Sequence, residues 1–253
     1  MRWLGVLVAA ALLVVPAGPA VAAVRPLPTG TDVDYQLGGA RGVPAHVGIV
    51  VRDRHAAALR DRYSICYVNG FQTQPDERAF WRKHPRLVLR RNGHPVVDSG
   101  WGEQLLDTRT AARRARIAAV VGRWTDGCAR SGFAAVEFDN LDSFTRSHGL
   151  ITRADNKAMA RLLVARAHRS GLAAGQKNWA QWDGRRVGYD FAVAEECGRY
   201  DECGSYVAHY GDRVVVIEYR SVDFAATCRD WGSRLPVLLA DRELSPTGRR
   251  SWC

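Results

Sequence analysis

Acidic and amide side chains recur in this sequence directly after short apolar runs. Ala134 to Phe138 runs into Asp139, Asn140 and Asp142, and Leu172 to Gln176 runs into Lys177 and Asn178. Phe191 to Ala194 ends in Glu195 and Glu196, Val214 to Ile217 in Glu218 and Tyr219, and Leu235 to Ala240 in Asp241. Asp53 and Asn69 close two earlier runs. Two carboxylates flanking a scissile bond are what glycoside hydrolysis needs. One protonates the leaving oxygen, and the other attacks or activates water. Lys177, Asn140 and Asn178 can hold hydroxyls, and the lysine can shift carboxylate pKa values. Tyr35, Tyr67, Trp101, Trp179 and Tyr219 offer flat faces for sugars. H-E-x-x-H and G-x-S-x-G are absent, which argues against zinc hydrolysis and acyl-serine chemistry. Asp139 and Asp142 as oxygen ligands of a metal ion form a competing reading, although Asp142 also reads as a helix cap. No metal site and no cofactor are expected.

Such side chains work together only if the strands carrying them run parallel and point their C-terminal ends at one bowl. The apolar runs 33–37, 46–51 and 63–68 join those above to give about eight strands. Residues 109–130 show helical spacing, with Gly132 at the C-terminal stop. Thr152 and Asp155 read as a capping box for a helix to about Ser170. Ala56 to Arg60 reads as a short helical piece. Only about eight residues separate the first two strands, too few for an ordinary parallel crossover. The third strand is followed by a long insertion. It holds an Asn92-Gly93 hairpin signal, Trp81, Trp101 and Glu103. The predicted fold is α/β, a single (β/α)8 TIM barrel over residues 24–253 with that insertion. A doubly wound sheet is the alternative, but no Gly-rich phosphate loop supports it.

Residues 1–23 read as a secretory signal peptide. Arg2 is the charged start, Leu4 to Val15 the apolar run, and Ala20-Val21-Ala22-Ala23 the cleavage region. No later stretch is long enough to span a bilayer, so a secreted protein without membrane insertion is expected. Six cysteines in an exported chain argue for disulfides, with Cys197 and Cys203 the best single pair. The net charge is +10, yet Lys83, Lys157 and Lys177 are the only lysines and the arginines form no run. The charge therefore reads as solvated surface, and no nucleic-acid partner is expected. The chain is expected to be a monomer.

The blocks Gly132 to Asp142, Lys177-Asn178, Ala194-Glu-Glu-Cys197 with Tyr200 to Cys203, and Ile217-Glu-Tyr219 resemble glycoside hydrolase family 114 in order and spacing. That family is also called the endo-α-1,4-polygalactosaminidase family. Tyr35-Gln-Leu37, Cys66-Tyr67 and Trp101-Gly-Glu103 extend the likeness over nearly all of residues 24–253. It implies a TIM-barrel hydrolase cutting α-1,4-linked galactosamine or N-acetylgalactosamine polymers. Asp139 matches the family's nucleophile and Glu195 its general acid/base, with a retaining mechanism. Glu195 is favoured over Glu196 by the family pattern, and strand alternation allows only one of the two to point inward. Tyr35, Asp53, Tyr67, Trp101, Asn140, Lys177, Asn178, Glu218 and Tyr219 are the expected substrate-binding residues. Ala194 and the stretch Asn69 to Pro75 depart from the family pattern. The positive charge favours a neutral, acetylated substrate over a cationic one. A non-catalytic carbohydrate-binding barrel is the alternative.

Overall fold

The structure, a computed structural model, describes Met1 and residues 24–253. The signal-peptide reading lies outside the described residues. Three strands open the chain: β1 (Asp32–Gln36), β2 (Val47–Asp53) and β3 (Tyr63–Asn69). The insertion follows, with the short helix α1 (Arg78–Arg82). It also carries two small antiparallel pairs, β4 (Arg90–Arg91) with β5 (His94–Pro95) and β6 (Val97–Asp98) with β7 (Glu103–Gln104). Then come α2 (Ala111–Ser131), β8 (Ala135–Asp139), α3 (Arg153–Arg169), β9 (Ala173–Lys177) and β10 (Phe191–Glu195). The chain continues through α4 (Cys203–Tyr210), β11 (Val214–Glu218), α5 (Ser221–Trp231), β12 (Val237–Ala240) and β13 (Arg250–Trp252).

The main sheet runs β1-β2-β3-β8-β9-β10-β11-β12-β13, and only β13 is antiparallel to its neighbour. Eight parallel strands thus form a nearly closed TIM-type barrel. Period-two alternation divides the core in two. Ile65, Ala135, Ala173, Val193 and Ile217 fill the inside, while Val68, Phe138, Ala174, Ala194 and Val216 face the helices. Gly175 leaves its inward place to the Phe191 ring, which a Cβ there would meet at 2.6 Å.

The helix boundaries follow local chemistry. Thr110 caps α2 by accepting from the Arg113 N–H, and Gly132 ends it at φ 90°. Thr152 and Asp155 form the reciprocal capping box of α3. The Asn92-Gly93 turn joins β4 to β5.

One reading is corrected, the first connection is irregular as its length required, and one strand was missed. Residues 56–60 contain no helix: the Arg52 guanidinium takes the Ala57 carbonyl, and the Ser64 hydroxyl bonds both the N–H and the carbonyl of Leu59. The β1–β2 connection also lacks one. Asp34, buried on β1, instead accepts from Arg41 of that loop and from Arg250 of β13. A buried polar cluster takes the place of a helix at this seam. Strand β13 was not anticipated at all. It pairs with β12, and the Trp252 indole donates to the Val33 carbonyl of β1 at 2.7 Å.

All six cysteines are paired: Cys66–Cys128, Cys197–Cys203 and Cys228–Cys253. The first joins β3 to α2 and closes 62 residues, against 6 for the second. Loop-closure entropy then gives about 4 kcal/mol for the long loop and about 2 for the short one. Replacing Cys66 and Cys128 together by Ala should therefore lower Tm more than replacing Cys197 and Cys203. Equal losses in thermal unfolding would overturn this ranking.

Candidate active site

Lys177 stands at the centre of the bowl. Alternation along β9 turns it inward, and only 1% of its side chain is exposed. Its Nζ lies 3.4 Å from Asp139 Oδ1 and 3.3 Å from Glu195 Oε2. It also donates to the Tyr35 hydroxyl at 3.0 Å, and that hydroxyl donates to Glu137 Oε1. Burial disfavours the ammonium, but Asp139, Glu195 and Glu137 outweigh it and hold the Lys177 pKa well above its ordinary value.

Asp139 ends β8, two residues beyond Glu137 on the same inward face. The Tyr67 hydroxyl donates to its Oδ2 at 2.7 Å, and the Asn140 N–H to its Oδ1 at 2.7 Å. Burial pushes this carboxyl up. The Lys177 charge and these hydrogen bonds more than reverse that, so it titrates below the usual range. Glu195 ends β10 and accepts from the Tyr219 hydroxyl. Its N–H donates to Asn178 Oδ1 at 3.0 Å, which seats the end of β10 against β9. Glu196 follows at φ 57°, turns out of the strand and pairs with Arg199 at 2.7 Å.

A cavity of ≈ 640 Å³ opens above this cluster and is lined by Tyr67, Trp101, Glu103, Asp139, Lys177 and Glu195, among others. A second, of ≈ 390 Å³, continues it past Trp179, Glu196, Tyr200 and Tyr206. The two share Trp101, Asn178, Glu195 and Tyr219, so they form one groove. A larger cavity of ≈ 680 Å³ lies by Arg25, Arg60 and Tyr63, around the starts of β2 and β3 and away from these carboxylates. Acidic side chains outnumber basic ones along the groove. Its local charge is therefore opposite in sign to the chain's +10.

Eight of the expected binding and catalytic residues line the groove: Tyr67, Trp101, Asp139, Asn140, Lys177, Asn178, Glu195 and Tyr219. Trp101 stands at the rim, 46% exposed, with Arg242 stacked over its ring. Tyr35 lies fully buried beneath, where it touches Lys177 and Glu137 and has no surface for a sugar. Asp53 sits to one side, where it holds the His55 N–H and the Gln74 amide. Glu218 faces the helical layer, because Ile217 takes the inward place on β11. It accepts from the Gly198 N–H at 2.7 Å and so holds the loop after β10. The Asp142 carboxylate is taken by Arg146, at 2.8 and 3.1 Å, and does not converge with Asp139. Among the described residues, one cluster has metal-ligand spacing, Cys197, Cys203 and Glu218, and its two cysteines are bonded to each other.

Two carboxyls of this region were missed. Glu137 lies mid-strand, fully buried, with its Oε2 unpartnered. Glu103 comes from the insertion and accepts from Asn69, Gln72 and Asn140 at 2.9, 3.0 and 3.1 Å. Its sequence signal was the Trp101-Gly-Glu103 block. Burial is the main cause that raises Glu103, Glu137 and Glu218 to about 7 each.

A family-wide sequence profile for glycoside-hydrolase family GH114 matches residues 16–253. The chain belongs to glycoside hydrolase family GH114. It is accordingly a glycoside hydrolase. No curated protein matches it. Among solved structures, GH114 architecture recurs in Ega3 of Aspergillus fumigatus, crystallised with galactosamine. That chain is 20% identical, with a TM-score of 0.74 over 92% of this chain and 99% of that one. The glycoside hydrolase domain of PelA from Pseudomonas aeruginosa is 16% identical, with a TM-score of 0.59 over 88% and 98%. At these identities the likeness shows the shared barrel fold.

A carboxyl raised in the folded state gives its full stability below its ordinary value near 4.5 and loses it as pH rises through about 7. With three such groups, Tm should be higher at pH 5 than at pH 8, and a flat profile in scanning calorimetry would refute this. Lys177→Met strands the facing carboxyls and should cost about 3–5 kcal/mol. In urea unfolding that loss should be smaller at pH 5, where the carboxyls can take up protons.

Proposed function

We propose that this GH114 enzyme is a secreted glycosidase that cleaves α-1,4-linked galactosamine or N-acetylgalactosamine polymers, with Asp139 as nucleophile and Glu195 as general acid/base. One observation carries the reading: Asp139 and Glu195 face one groove from strands that flank β9, with the same buried ammonium between them. A nucleophile must be ionised and an acid must reach the leaving oxygen. Lys177 and Tyr67 keep Asp139 ionised. Glu195 is the more open of the two, at 23% side-chain exposure against 16%, and lies where both cavities meet.

In the first step Glu195 gives its proton to the glycosidic oxygen while Asp139 attacks the anomeric carbon. Water then displaces Asp139, with Glu195 taking the water's proton. A retaining course needs carboxyls about 5–5.5 Å apart. The shared ammonium keeps the two oxygens within two ion-pair lengths, which excludes all but the short end of the ~6.5–9.5 Å range of inverting enzymes. The extended groove supports a polymeric substrate. Its acidic walls remove the expectation that net charge would repel a cationic chain. The three disulfides support the exported compartment.

Asp139→Asn and Glu195→Gln should each lower hydrolysis at least about 10³-fold, whereas Glu196→Gln should stay within a few-fold of the parent. The assay is release of oligosaccharides from galactosaminogalactan and its deacetylated form, read by mass spectrometry. Proton NMR of the first-formed anomer separates retention from inversion. A folded protein that binds both polymers and releases nothing would instead be a carbohydrate-binding barrel.

A further inference from the structure

The cavity of ≈ 680 Å³ lies at the opposite end of the barrel from the groove, where β2 begins at Val47, β3 at Tyr63 and β11 directly after Arg213. Leu27, Val47 and Tyr63, all buried, form its apolar walls. Four guanidiniums line it, those of Arg25, Arg60, Arg62 and Arg213, against the single carboxylate of Asp61. Three positive charges are thus in excess. Low-dielectric walls around charges of one sign focus their field on the space between them. Asp61 is 71% exposed and meets Arg62 at 2.9 Å. Two further acids nearby are held elsewhere. Asp212, next to Arg213 in the chain, pairs with Arg234 at 2.6 Å. Asp190, whose charge reaches Tyr63, pairs with His168 at 2.8 Å. Among the described residues, Arg60 and Arg213 make no salt bridge, and the buried Nε of Arg62 meets no acceptor.

We propose that this cavity binds a condensed phosphate, two or more phosphates linked in a chain, through Arg60, Arg62 and Arg213. A guanidinium presents a planar fork that matches paired phosphate oxygens. A single carboxylate would leave most of the excess charge uncompensated. Linked phosphates bring several negative charges into a small volume. Arg25 supplies a wall more than a fork. It lies over the Tyr63 ring at 4.8 Å, and its carbonyl accepts from the Tyr63 hydroxyl at 2.8 Å. That packing covers the one aromatic ring among the lining residues, and Tyr63 is only 4% exposed. Neither a nucleic-acid base nor a sugar finds a free face to stack on. The site is separate from the groove, so the proposal holds whichever glycan the groove takes. A polyphosphate bound here holds the enzyme by its base and leaves the groove open.

Titration calorimetry near neutral pH in ~0.15 M salt, where long-range attraction to the net charge is screened, compares tripolyphosphate with citrate. Tripolyphosphate should bind once per chain and at least about 10-fold more tightly than citrate. Replacing Arg60 and Arg213 together by Ser should weaken it at least about 30-fold and leave glycan hydrolysis unchanged. Arg229→Ser removes an exposed arginine that pairs with Asp230 elsewhere on the surface, and should change binding less than about twofold. If the double variant does not fold, Arg213→Ser alone should still weaken binding at least about fivefold. No binding, several weak equivalents per chain, or equal losses in the Arg229 variant would reduce the effect to general attraction and overturn the site. A single-stranded oligonucleotide of equal charge that binds more tightly than tripolyphosphate, and is lost in the same double variant, would overturn condensed phosphate in favour of nucleic acid.

Discussion

A single buried ammonium holds this site together. Without Lys177, Asp139, Glu137 and Glu195 would place like charges in a space from which water is largely excluded. Such a cluster would shed its charge by taking up protons. With Lys177 present, Asp139 stays ionised and the barrel floor stays packed. The ammonium also lies over the faces of Tyr35 and Tyr67, at 5.4 and 5.7 Å from the ring centres, so aromatic surface shares in its solvation. The hydroxyls of the same two rings orient Glu137 and Asp139. Lys177, Tyr35 and Tyr67 thus act as one unit.

The barrel contributes alternation. On β8 the inward residues are Ala135, Glu137 and Asp139, on β9 Ala173, Gly175 and Lys177, and on β10 Phe191, Val193 and Glu195. On these three strands the apolar layer comes first and the charged layer last. Because the strands are parallel, the charged layers meet at one end. The same rule explains why Glu196 and Glu218 fall outside the cluster, although they sit next to residues that enter it.

Much of this was legible because period-two patterning and strand-end chemistry are local properties. Asp139, Lys177, Asn178 and Glu195 follow apolar runs at once, and the capping box at Thr152 is visible in four residues. What escaped needed contacts distant in sequence. Glu137 resembles a solvent-facing acid in an otherwise apolar strand, and only Tyr35 and Lys177 from other strands show that it points inward. Glu103 sits in an insertion with no periodicity to orient it. Glu218 was placed by its position at a strand end, whereas the parity set by Ile217 turns it the other way. Strand β13 is three residues long and two of them, Arg250 and Ser251, are polar, so nothing local marks it.

The seam at β13 also bears on how the molecule is made. Trp252 meets Val33 across 219 residues of chain, and Arg250 reaches the buried Asp34 across 216. Long-range contacts of this kind form late, because closing so large a loop precedes any gain from the contact. Until then the Val33 carbonyl of β1 lacks the Trp252 indole, and Asp34 has only Arg41 for its charge. Oxidation of Cys228 with Cys253 then pins β13 to α5 and fixes it in place. The strand that completes the sheet is therefore tied to the helical layer by a covalent bond as well as to β1 by hydrogen bonds, so both ends of the chain are secured at one seam.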